Sequence, residues 1–162
     1  MHQKEIPDLR QFLPGRDELR EFRPLRPESD LTVLPDKVGT YLYANRKTDN
    51  AMLQVNILIY KNGKVWEKLP VDRPAGPIPR GTPRPLDLDK DVRLFHLKLS
   101  AFYNLYALDG SACVTVELSL PPNGRRNGSP VLPRLTDAEM RFVEQLFVQT
   151  LQQLRRAKVS RS

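Results

Sequence analysis

Proline placement limits where this chain can be regular. A proline removes a backbone donor and fixes φ, so helices and central strands end near it. Fifteen prolines are spread over 162 residues, and six of them fall in 70–85 with two glycines and three arginines. That run suits neither helix interior nor sheet ladder and reads as an extended, polyproline-like crossover. Pro7, Pro14, Pro24, Pro27 and Pro35 punctuate residues 1–35 in the same way. They leave one short helical window at 16–22 in what is otherwise an arm.

Between these breaks the pattern is readable. Residues 38–44 are rich in β-formers, including Thr40, Tyr41, Leu42 and Tyr43. Leu53, Val55, Ile57 and Ile59 alternate with Gln54 and Asn56, which predicts a half-buried strand. Lys61-Asn62-Gly63 then predicts a hairpin onto a third strand at 64–69. Further on, Val114, Val116, Leu118 and Leu120 alternate with Cys113, Thr115, Glu117 and Ser119, until Pro121-Pro122 stops the strand. Residues 123–133 form a loop with two Asn-Gly turns bracketing Arg125-Arg126.

Residues 87–109 admit two readings. Leu88, Val92, Phe95, Leu99, Phe102 and Tyr106 recur at spacings of four and three, with Arg93, His96, Ser100 and Asn104 as a polar stripe. That is the pattern of an amphipathic helix, with Asp87, Asp89 and Asp91 at its positive end and Gly110 after it. The rival is a strand–Asp-Gly–strand hairpin through Asp109-Gly110. The polar residues sort better in helix register, so a central helix is expected. At the end of the chain Thr136 and Glu139 have capping-box spacing for a helix at 137–156. Its apolar positions, Met140, Phe142, Val143, Leu146, Phe147, Leu151 and Leu154, make a face broad enough for the sheet and a second neighbour. That neighbour is expected to be the central helix or another subunit.

The predicted fold is α+β: an antiparallel β-meander sheet packed against a central and a C-terminal helix, with a proline-rich N-terminal arm and crossover. The division follows as an arm at 1–35, one α+β domain at 36–157 and a basic tail at 158–162. No run of about 18 apolar residues is present, so no membrane span is expected. The N-terminus lacks a basic-then-apolar leader, and Cys113 is the single cysteine, so a cytoplasmic protein without disulfides is expected.

Catalytic constellations are hard to assemble from these residues. Two histidines and one cysteine fall short of a zinc site without several carboxylates, so neither metal nor cofactor is expected. His96, on the polar side of the expected helix, reads as solvated. Cys113 lacks a neighbouring cation to activate it. No glycine cluster has the setting of a phosphate loop. A metal-dependent nuclease would need acids and a lysine on one face, whereas Glu67 and Lys68 are adjacent and point to opposite faces. The protein is therefore read as non-catalytic.

Charge supplies the functional expectation. The net charge is +7, and residues 121–162 hold eight Lys/Arg against three Asp/Glu, while 1–35 hold six against seven. A clustered surplus draws polyanions, although it also serves solubility alone. The candidate contacts are Arg125 and Arg126 in the loop and Arg155, Arg156 and Lys158 at the C-terminal end. A second candidate surface is Lys64, Trp66 and Lys68, alternating on one strand face beside Tyr60, the arrangement that stacks single-stranded nucleic acid. Its competitor packs Trp66 under the arm with the lysines reaching outward. The expected function is a binding or assembly module for nucleic acid or an acidic protein surface. The alternative is a structural subunit or chaperone-like adaptor, with homo-oligomer formation through the C-terminal helix.

Overall fold

Alternating burial in 51–60 shows how the molecule is built. Every odd residue from Ala51 to Ile59 is buried, while Met52, Gln54, Asn56 and Leu58 are only half-buried. The computed structural model describes residues 6–26, 30–61, 88 and 92–157. After a 3₁₀ turn at Leu9–Phe12, the elements are α1 (Arg16–Leu19), β1 (Phe22–Pro24), β2 (Asp30–Val33), β3 (Lys37–Arg46) and β4 (Ala51–Tyr60). They continue with β5 (Arg93–Leu99), β6 (Phe102–Asp109), β7 (Ala112–Ser119), β8 (Arg125–Arg126), β9 (Ser129–Pro130) and α2 (Asp137–Arg156). The architecture is α+β, with a multi-strand antiparallel sheet and two helices, one of them C-terminal.

The sheet runs β1-β3-β4-β7-β6-β5, with β2 also paired to β3. It departs from a simple meander at its centre, where β4 pairs with β7, Ile59 opposite Ala112 and Met52 opposite Ser119. The β3–β4 hairpin closes through residues 47–50, with Asn50 in the left-handed region at φ 59°. The expected third strand at 64–69 and the proline crossover at 70–85 lie outside the described residues.

The expected central helix does not form. Residues 93–99 and 102–109 are β5 and β6, joined by the two-residue turn Ser100-Ala101. The physical reason lies in the hairpin's own geometry. Phe95 pairs with Tyr106 and Leu99 with Phe102, so these four residues share one face of the hairpin. Crossing the turn shifts the parity by one, and the spacing of four, three, four then copies a helical stripe. The Asp-Gly hairpin is the reading that holds. Asp109 pairs with Ala112 across Gly110-Ser111, and Gly110 sits at φ 60°, as a type II′ turn requires of its first central residue.

The inner face of the sheet, with Leu42, Leu53, Val55, Ile57, Leu105, Val114, Val116 and Leu118, is the core against which α2 packs. The capping box forms: Thr136 Oγ1 accepts from the Glu139 N–H at 3.1 Å, and Glu139 accepts from the Thr136 N–H at 2.9 Å. Eight residues of α2 are buried, including Thr150, whose hydroxyl donates to the Leu146 carbonyl at 2.7 Å. Among the described residues, the second neighbour of this broad face is the N-terminal arm. Leu9, Leu19 and Phe22 join the same core, and the Phe22 ring stacks on Phe142 at 5.6 Å. Among the described residues no helix is long and apolar enough to cross a membrane.

Candidate functional site

Topology divides the expected basic residues between two ends of the molecule. The β3–β4 and β5–β6 turns, the exit of β7 and the start of α2 lie at one end. Ser100 ties them together: its carbonyl accepts from the Leu135 N–H at 2.8 Å, and its hydroxyl donates to the Pro133 carbonyl at 3.0 Å. From this end projects the β8–β9 hairpin. Asn127 and Gly128 have φ of 53° and 81°, the two positive values a type I′ turn demands. The hairpin holds Arg125 and Arg126 exposed, and Arg134 and Lys98 are exposed at the same end. The charge pattern did not single out these last two, because their position depends on how β5 and the 120–135 connection return.

The opposite end has a different electrostatic character. A 20-residue helix is about 30 Å long, so Arg155 and Arg156 are far from the hairpin. The Arg155 guanidinium holds Asp109 in two bonds, Nε to Oδ2 at 2.7 Å and Nη2 to Oδ1 at 2.8 Å. The Asp109 side chain is 3% exposed and that of Arg155 14%. This cation is engaged internally, fastening the last turn of α2 to the β6–β7 turn. Arg156 is exposed, and Lys158 lies outside the described residues.

The aromatic surface expected around Trp66 is described only at Tyr60, since Lys64, Trp66 and Lys68 lie outside the described residues. Tyr60 is 8% exposed and clusters with Leu108 and Cys113, with the Lys37 ammonium 6.0 Å from its ring. A ring so covered does not offer a face for stacking. Cys113 also differs from its expected setting: it lies on the outer face of the sheet, yet it is buried there. Burial pushes its thiol up to about 11, with hydrogen bonds to Tyr106 and Thr115 opposing. It is inert at neutral pH. His96 is likewise not a solvated residue. It is half-buried on the inner face opposite Leu105, edge-on to Tyr103 at 6.4 Å, and its Nδ1 has no partner among the described residues. Burial lowers its pKa, which favours the neutral ring.

One cleft is built from charge. Arg20 lies 5.3 Å over the Phe142 ring and Arg46 5.3 Å over Phe22, giving an Arg-Phe-Phe-Arg ladder. Arg46 also bonds Asp49 and Glu139, each at 2.7 Å, and pairs with Glu21 at 3.8 Å. Its guanidinium holds the Asp49 carboxyl below the usual range. At about 90 Å³ the cleft is far smaller than the roughly 300–1,000 Å³ of a small-molecule site. With three carboxylates around Arg46, it fastens the arm to α2 and does not attract anions. Among the described residues no group of three His, Cys, Asp or Glu side chains could hold a metal ion.

The outer face of the sheet has an organised surface. In register across it stand Tyr43, Gln54, Glu117, Asn104 and Leu97, and beside them Tyr41, Asn56, Thr115, Tyr106 and Phe95. Gln54 donates to the Tyr43 hydroxyl at 3.3 Å, and Asn104 reaches Glu117 at 3.5 Å. The Tyr41 hydroxyl bonds Asp30 on β2. Strand alternation in 38–44 and 112–120 carries the signal for this face, but only the pairing shows that the two segments share it. Compared with protein-family models, characterised proteins and solved structures, the chain matches none.

Proposed function

We propose that the protein is a non-catalytic binding module whose basic end contacts an anionic partner, nucleic acid or an acidic protein surface. The observation that carries this reading is the exposure of Arg125 and Arg126 on a tight hairpin, with Arg134 and Lys98 exposed at the same end. A tight hairpin that exposes two guanidinium groups, one on each face of its ribbon, suits phosphate and carboxylate, which each arginine can bind through paired N–H donors. The absence of a convergent catalytic motif in the sequence supports a binding role. The competing role, a subunit or adaptor assembled through α2, has less support, because the apolar positions of that helix are already covered by the sheet and the arm.

The test is affinity for single-stranded RNA and for heparin, measured across a salt series. Each phosphate contact contributes about 0.7 to the slope of log affinity against log salt on single strands. Replacing Arg125 and Arg126 together by Gln is expected to lower that slope by about 1.4 without changing stability. A salt-independent affinity, or an unchanged slope in the double variant, defeats the proposal.

A further inference from the structure

The inner face of the sheet is covered by α2 and the arm, whereas no described helix packs on the outer face. Part of that outer face is open: Tyr43 is 40% exposed, Leu97 41% and Leu99 58%. At its middle stands Glu117, half-buried, between Gln54 and Asn104 in register. Its single hydrogen bond among the described residues comes from the Asn104 amide at 3.5 Å, and no cation among them pairs with it. A half-buried carboxylate without a counter-charge, flanked by amides and aromatic rings, is complementary to a cation presented on an apolar chain.

We propose that this face docks an extended, proline-rich segment of a partner protein that carries an arginine or lysine, with Glu117 receiving the cation. Three features select this occupant. Nucleic acid is disfavoured because its phosphates would lie over Glu117, with Asp30 close by at Tyr41. A strand-forming peptide has nothing to pair with on a sheet face, since ladder donors and acceptors point only along the edges. A polyproline helix needs no ladder, and its rings pack on tyrosine and phenylalanine while amide side chains reach its carbonyls. Tyr43 on one side, Tyr106 and Phe95 on the other, and Gln54, Asn56 and Asn104 between them supply those contacts.

The chain's net charge of +7 makes the test selective, because bulk electrostatics repel a cationic ligand. Three fluorescein-labelled peptides, of Pro-Pro-Arg, Pro-Pro-Gln and Ala-Ala-Arg repeats, are titrated with the full chain and followed by anisotropy. The Pro-Pro-Arg peptide is expected to bind, and the other two to bind roughly tenfold more weakly or not at all. Glu117→Gln, nearly isosteric, and Tyr43→Ala, at an exposed position, are each expected to weaken the first peptide about tenfold with unchanged circular dichroism. Equal binding of the Pro-Pro-Arg and Ala-Ala-Arg peptides overturns the proposal, as does wild-type affinity in Glu117→Gln. Failure of all three peptides to bind the intact chain overturns it too, by showing the face closed to partners. None of these results touches polyanion binding at the Arg125-Arg126 end.

Discussion

Replacing Asp109 by Ala tests whether Arg155 is a structural cation. The pair has two charge-assisted hydrogen bonds of 2.7 and 2.8 Å, with side chains 3% and 14% exposed. Removing Asp109 strips the Arg155 guanidinium of two charge-assisted hydrogen bonds in a largely buried setting, a loss of the kind that costs about 3–5 kcal/mol. Against a total stability of roughly 5–15 kcal/mol, that is a large share. For a chain of this size each kcal/mol moves the melting temperature by about 2–4 °C, so a fall of about 10 °C is expected. Urea unfolding gives the free energy directly, and the cycle with Arg155→Met and the double variant isolates the pair. The double variant is expected to be more stable than Asp109→Ala alone, because it no longer buries a guanidinium that has lost the Asp109 carboxylate. A loss below about 1 kcal/mol in Asp109→Ala, or strict additivity in the cycle, would refute the assignment.

Thr136→Ala removes the oxygen that caps α2 and is expected to cost about 1 kcal/mol in urea unfolding; no loss would mean that the cap is replaced. Cys113 is expected to react with a thiol reagent only at the rate of unfolding or local opening, since its thiol is pushed up to about 11; rapid labelling of the native chain would contradict its burial. Burial raises the pKa of Glu117 above its unfolded value, so its contribution favours the fold at low pH and is lost as pH rises through the folded pKa. Glu117→Gln should therefore melt higher than wild type at pH 7 and no higher at about pH 3, as scanning calorimetry can check.

The elements legible in the sequence are those buried on one side or fixed by local chemistry. Val55, Ile57 and Ile59 could alternate only in a strand with one apolar face, and Thr136 with Glu139 marked the start of α2 to the residue. The β5–β6 hairpin is ambiguous in sequence because Phe95, Leu99, Phe102 and Tyr106 satisfy two geometries equally, and only partners elsewhere in the sheet decide between them. Arg125 and Arg126 were legible as exposed, since the turn around Asn127-Gly128 is encoded locally. The role of Arg155 was not, because nothing near it in sequence announces Asp109, which comes within reach only once α2 lies across β6 and β7. The rows through Gln54, Glu117 and Asn104 were hidden for the same reason.

The seam between β4 and β7 sets the order in which this molecule can assemble. The β3–β4 hairpin and the β5–β6–β7 unit each close through turns of two to four residues, so their pairing is local and fast. The seam joins Ile59 to Ala112, so it must wait for a long stretch of chain to be gathered in. Folding should thus be paced by the docking of these two locally paired units, and destabilising the seam should slow refolding more than destabilising either hairpin turn.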